Sequence, residues 1–162
     1  MNKTLKGGWG LVLAFGLLVS FASAAENPGI CPVLGKNASL SNSYQYGGKT
    51  YYFCSPECIA NFKKEPEKYL GRIKEITLLA QKHTFLPMEI KVKQGDLVKI
   101  TFISKNVNRS LIINEYGINI SVVQNEIKKI EFLADKKGIF IFRSPFVYVG
   151  KKSEMTGKFI VE

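Results

Sequence analysis

The sequence predicts a mainly β chain in two parts, a small α+β unit followed by an all-β sandwich or barrel. Two short strand-like segments about Gly47-Gly48, and a helix start at Ser55-Pro56-Glu57, mark the first part. Beyond residue 72 the chain alternates apolar and polar positions between turn residues, the pattern of many short strands. With 162 residues, 46% of them hydrophobic and 22% charged, the composition is that of a globular protein.

Residues 1–24 are set apart as a signal peptide. Lys3 and Lys6 form a positive start, residues 10–21 an apolar stretch, and Ala22-Ser23-Ala24 the small-x-small site after which cleavage is expected. The stretch is near the lower length limit of a membrane span, so an uncleaved anchor is the alternative. Cys31 lies too far on, without a preceding small-residue box, for a lipoprotein. A periplasmic or otherwise exported location follows. Cleavage removes two lysines and no acids, taking the net charge from +10 to +8. Lys91, Lys93, Lys99, Lys128 and Lys129 are spread among apolar positions, as on solvated strand faces. The other reading is a basic surface for anionic lipid or an acidic partner. An exported protein does not ordinarily meet nucleic acid, so none is expected as a partner.

In residues 25–72, segments 43–46 and 49–53 read as a hairpin. Ser55 suits a helix N-cap, Pro56 the first helical position and Glu57 the first turn. Ala60, Phe62, Tyr69 and Leu70 give the helical segment an apolar side, and Pro66 opens a second short turn of helix. A unit this small buries too little surface to be stable alone, so a metal or a covalent staple is expected. In residues 73–162, Ile90 and Val92 alternate with Lys91 and Lys93, and Gly95-Asp96 turns the chain. Val98, Ile100 and Phe102 then alternate with Lys99 and Thr101. Segments 110–115, 127–132, 138–142 and 158–161 are further strands, and the run Ile139-Phe140-Ile141-Phe142, apolar on both faces, belongs to a central one.

All three cysteines fall into one ligand-like spacing: Cys31, 22 residues, Cys54, three residues, Cys58. Thiolates so spaced bind soft metals. Cys31-Pro32-Val33-Leu34-Gly35 has the shape of a tight turn that can aim backbone N–H groups at a thiolate. Cys54 precedes the helix and Cys58 lies in its first turn, where the partial positive charge favours thiolate. In an oxidising compartment an odd number of thiols leaves one unpaired unless it takes a metal or crosses to another chain. A disulfide between two of them, with the third inert, and three reduced inert thiols are the alternatives.

The stretch from CPVLGK through YQYGGKTYYFCSPECIANFKKEPEKYL, residues 31–70, resembles the YHS domain, one of the TRASH-like modules of heavy-metal trafficking, resistance and sensing. The resemblance implies that Cys31, Cys54 and Cys58 are metal ligands. Many members carry a further Cys or Met near the first cysteine, where this chain has Leu34 and Lys36. Three thiolates suit Cu(I), which accepts low coordination, better than zinc, which prefers four ligands. Copper is therefore the expected metal, with zinc or another soft ion behind it.

Residues 75–162 resemble a second family. HTFLPMEIKVKQGDLVKITF, NRSLIINEYGI and the closing MTGKFIVE are similar to the cupredoxin-like copper domain of cytochrome oxidase subunit II and nitrous oxide reductase. The resemblance implies a Greek-key β-sandwich. That subfamily holds a dinuclear copper centre through an upstream His and a C-x3-C-x3-H-x2-M run. Here those positions hold Arg109, then Ser144, Tyr148, Lys152 and Met155, so the spacing survives and four of the five side-chain ligands do not. Arg and Lys offer no lone pair and place positive charge where a cation would sit. With His83 the only histidine, a blue-copper site is excluded as well. Arg109, Tyr148 and Lys152 read as a polar cap on a vacated pocket, or as a site reused for an anion or partner. Met155 reads as packing, and His83 as a surface residue or a fourth ligand to the cysteines.

No nucleophile–base pair, paired carboxylate set or phosphate loop stands out, so no enzyme is expected. Two functions remain. One is an exported protein that binds a soft metal for capture, delivery, resistance or sensing, with the sandwich as scaffold. The other is a structural subunit of a membrane respiratory complex that uses the sandwich for protein contacts.

Overall fold

The structure, a computed structural model, describes residues 28–105 and 107–162; the expected signal peptide lies outside the described residues. Among them no helix is long and apolar enough to cross a membrane. The chain is mainly β, a small α+β unit followed by a two-sheet sandwich.

In the small unit, β1 (Ser39–Tyr46) and β2 (Lys49–Phe53) form an antiparallel hairpin. Gly47 and Gly48 turn it at φ +56° and +75°, the left-handed pair that a two-residue hairpin turn needs. Helix α1 (Pro56–Lys64) starts at Pro56, with Ser55 in the N-cap position but making no side-chain capping bond. Helix α2 (Pro66–Leu70) follows. The buried side of α1 is Cys58 and Phe62, one turn apart; Ala60, expected on that side, is exposed. Phe62 is the hub of the unit, its ring meeting Phe53 at 5.1 Å, Tyr51 at 5.4 Å and Tyr46 at 5.8 Å. Cys31, Phe53, Cys58 and Phe62 form the whole buried cluster, so two of the three cysteines belong to this core.

The sandwich begins with β3 (Ile73–Gln81), β4 (Thr84–Leu86), β5 (Glu89–Val92) and β6 (Leu97–Ser104). It continues through β7 (Arg109–Ile113), β8 (Ile118–Val122), β9 (Ile127–Leu133), β10 (Gly138–Tyr148) and β11 (Lys151–Val161). One sheet has the order β5-β11-β10-β7-β8 and the other β4-β3-β6-β9. The chain repeatedly changes sheets, with parallel pairs β3–β6 and β5–β11, as in the cupredoxin-like Greek-key sandwich expected. Between the sheets lie Phe85, Phe102, Phe142 and Phe159 with Leu78, Ile100 and Leu111, all essentially without solvent contact. Asp96, at the turn before β6, is buried because its carboxylate accepts the Lys93 N–H at 2.8 Å.

Three strands, β3, β4 and β8, were not expected. Segment 110–115 stops at Ile113, where a 3-10 turn over Asn114–Tyr116 takes over and Gly117 leaves it at φ +63°. β10 is central in its sheet, as expected, yet Ile139 and Ile141 stand 67% and 45% exposed, so its outer face is open.

The small unit packs against the end of the sandwich where β3 and β6 begin and β9 finishes. Arg72 lies at that junction: its carbonyl accepts the Leu97 N–H, and its guanidinium reaches back to Pro32 O at 3.1 Å. Glu131 of β9 pairs with Lys99 at 2.9 Å and accepts the Ile30 N–H at 3.1 Å.

Candidate metal centre

The three cysteines come together through three different local structures. Cys31 starts a turn in which its N–H donates to Lys36 O and its carbonyl accepts the Gly35 N–H, closed by a bridge between Ile30 and Asn37. Gly35 permits the turn at φ +68°. Cys54 follows the last residue of β2, and Cys58 sits in the first turn of α1, its N–H donating to Ser55 O. The hairpin therefore delivers Cys54, the helix start delivers Cys58, and the N-terminal turn folds Cys31 over both.

Their sulfurs all lie within 4.8 Å of one another, with Cys54 Sγ and Cys58 Sγ 3.5 Å apart. A trigonal site with metal–sulfur bonds of about 2.3 Å needs sulfurs about 4.0 Å apart. The trio meets that spacing with sub-ångström adjustments. A disulfide needs about 2.05 Å, and all three cysteines are free thiols. Cys31 and Cys58 are buried while Cys54 is half-buried, so the side of Cys54 is the route by which an ion would enter.

The electrostatics divide the thiols. Burial works to raise the Cys31 pKa, but hydrogen bonds from the backbone at Leu34, Cys54 and Val33 outweigh it and the net direction is downward. The Leu34 and Val33 contacts are the function expected of the CPVLG turn. Burial, and then hydrogen bonding to Cys58 and Cys31, pushes Cys54 up to about 12. The arrangement is one thiol prepared as a thiolate beside another that keeps its proton.

Residues 34–73 match the family model of the YHS domain. The match contains Cys54 and Cys58 and begins three residues after Cys31, which the fold itself brings to the other two. Among curated proteins no match is found. Several solved structures are similar. One is a heme-copper terminal oxidase, 27% identical over 54% of this chain and 65% of that chain, with a TM-score of 0.48. Another is the metal-binding domain, with Cu(I), of the Cu(I)-exporting P-type ATPase CopA of Streptococcus pneumoniae D39. It is 22% identical over 56% of this chain and 86% of that one, with a TM-score of 0.45. A third is auracyanin A, a blue copper protein of Chloroflexus aurantiacus, 17% identical over 56% and 99%, with a TM-score of 0.45. The chain thus spans just under two thirds of the oxidase chain's length.

The positions that correspond to copper ligands in the subunit II resemblance lie at the opposite end of the sandwich. Ser144 is fully buried, its hydroxyl accepting the Ser110 N–H at 3.2 Å, and Met155 is buried opposite it across β10–β11. Arg109 lies over the Phe146 ring at 4.8 Å and donates to Lys82 O at 3.0 Å. His83 stacks on Phe146 at 5.1 Å and meets Tyr148 edge-on at 4.6 Å, so it takes no part in the cysteine cluster. The end is filled by side chains that satisfy one another. Lys152 does not join them: inward-facing Met155 fixes the alternation along β11, which sends residues 153 and 151 to the same face and residue 152 to the other. The expected grouping of Arg109 with Lys152 is therefore corrected by the regular hairpin.

The residues that hold the Cys31 turn were not legible beforehand. Arg72 donates to Pro32 O and Val33 O, Glu131 holds Ile30, and Leu133 packs where a side chain at Gly35 would stand. The pairing of Lys99 with Glu131 was hidden in an alternation that reads as a solvated strand.

Proposed function

We propose that this is an exported, non-enzymatic protein that binds Cu(I) as cargo through Cys31, Cys54 and Cys58, for capture, delivery, resistance or sensing of the metal. In this reading residues 1–24 are a signal peptide cleaved after Ala24, residues 25–72 the metal-binding domain, and residues 73–162 a copper-free cupredoxin-like scaffold. The observation that carries it is the convergence of three free sulfurs within 4.8 Å. The YHS match over residues 34–73 supports the same reading. Cu(I) tolerates a three-sulfur shell, and the half-buried Cys54 leaves one side open for transfer to another ligand set. Two of the ligands also belong to the small core, so metal binding adds to the stability of that unit.

Anaerobic titration against a chromophoric Cu(I) chelator tests the proposal. The reduced protein should take up one Cu(I) per chain, and Cys54→Ser and Cys58→Ser should each lose tight binding and lower the unfolding midpoint gained on loading. Equal chelator competition by the parent and the two variants would refute it.

A further inference from the structure

The end of the sandwich far from the cysteines carries an exposed apolar tip. In the β10–β11 turn Val147 is 70%, Tyr148 55% and Val149 81% exposed. At the same end, in the β6–β7 loop two residues before the Arg109 that covers Phe146, Val107 is a further valine, 43% exposed. Val149 has φ +48°. A β-branched residue is the worst choice for that left-handed position, which Asn or Gly fills without strain. A strained valine whose side chain touches solvent contributes nothing to packing, so its use points to something outside the chain.

The charge around the tip is mostly positive, and the one acid of the adjoining turn over residues 123–126, Glu126, is held by Lys128 and by the Val123 N–H. Lys151 and Lys152 follow the turn directly, and Lys82 and Lys105 stand exposed in the neighbouring loops. The nearest acid along the hairpin, Glu154, is engaged with Arg143. The feature is also convex, a hairpin end projecting with open space around Gly150, and so is shaped to enter a soft apolar layer. We propose that this tip docks the protein on an anionic lipid bilayer, the valines and Tyr148 entering the interface and the lysines resting on the headgroups. β3 and β6 run from the small unit to this end, which puts the cysteine cluster more than a strand length, about 25 Å, from the tip.

The test uses the chain from residue 25 onward, which contains every described residue. The sequence has a single tryptophan, Trp9, so this chain has none and Val149→Trp introduces a unique probe at the tip. Leu40→Trp, at a 54% exposed position in the small unit, is the control. With vesicles of phosphatidylglycerol and phosphatidylcholine the probe at 149 should shift to the blue and that at 40 should not. Neither should respond to pure phosphatidylcholine. Lys151→Ala with Lys152→Ala should weaken partitioning by about 30-fold, given the attraction of each basic residue to such a surface. An unshifted probe at 149 with anionic vesicles would overturn the proposal and leave the tip to an acidic protein. Equal shifts at both positions would overturn it too, as adsorption by overall charge.

Discussion

Gly35→Ala tests how the sandwich holds the turn that carries Cys31. Gly35 sits at φ +68°, and a built Cβ there stands 2.7 Å from Leu133 Cδ2. A left-handed alanine costs about 1–2 kcal/mol. Relieving the contact requires the half-buried Leu133 branch to move by about 1 Å, for about 1 kcal/mol more. The substitution should therefore destabilise the apo protein by about 2–3 kcal/mol in urea unfolding. It should also weaken Cu(I) binding, because the displaced turn takes with it the backbone groups of Val33 and Leu34 that face Cys31. In a Leu133→Ala background only the backbone cost should remain, about 1–2 kcal/mol, leaving a coupling of about 1 kcal/mol. An equal loss in both backgrounds would show that the sandwich does not brace the turn. No loss in either would refute the reasoning about Gly35 altogether.

Two more outcomes follow from the cysteines and the far end of the sandwich. Cys31 is lowered and Cys54 raised to about 12 from the ordinary thiol value of 9.0, so the folded apo state binds fewer protons than the unfolded chain below pH 9 and more above it. The Cys31 contribution should grow as pH rises towards 9, and the Cys54 contribution should be lost from 9 upward; urea midpoints of the parent against Cys31→Ser and Cys54→Ser across pH 7–11 read each part. With all three cysteines replaced by serine, Cu(II) should give no intense visible band, because Ser144 and Arg109 are satisfied by protein partners and Lys152 faces away; a stoichiometric band would restore a copper site in the sandwich.

The sequence revealed the cysteine trio, the Gly47-Gly48 hairpin and the helix start at Pro56 because each is local chemistry. A turn, a cap position and a ligand spacing are written within a few residues. The missing strands depend on distant partners. In β3 the run Leu78-Leu79-Ala80 lacks alternation and consists of good helix formers, and parallel pairing with β6 decides its state. β10 runs on to Tyr148, past the expected segment 138–142, although Pro145 within it donates no ladder hydrogen bond. Pairing with β11 continues through Pro145 and Glu154 to Tyr148 and Lys151. The open outer face at Ile139 and Ile141 was illegible for the same reason, since nothing local says that none of the described residues covers that side. Arg72, Glu131 and Leu133 escaped notice because their role depends on how the two units meet.

X-ray absorption at the copper edge of the Cu(I)-loaded protein, prepared from fully reduced thiols, asks most directly whether the three cysteines form one metal site. The spacing of Cys31, Cys54 and Cys58 predicts three sulfur scatterers at about 2.3 Å and no imidazole signal, with His83 held by Phe146 and Tyr148. A shell dominated by nitrogen or oxygen, or one sulfur short after Cys31 is shown to be reduced, would contradict it.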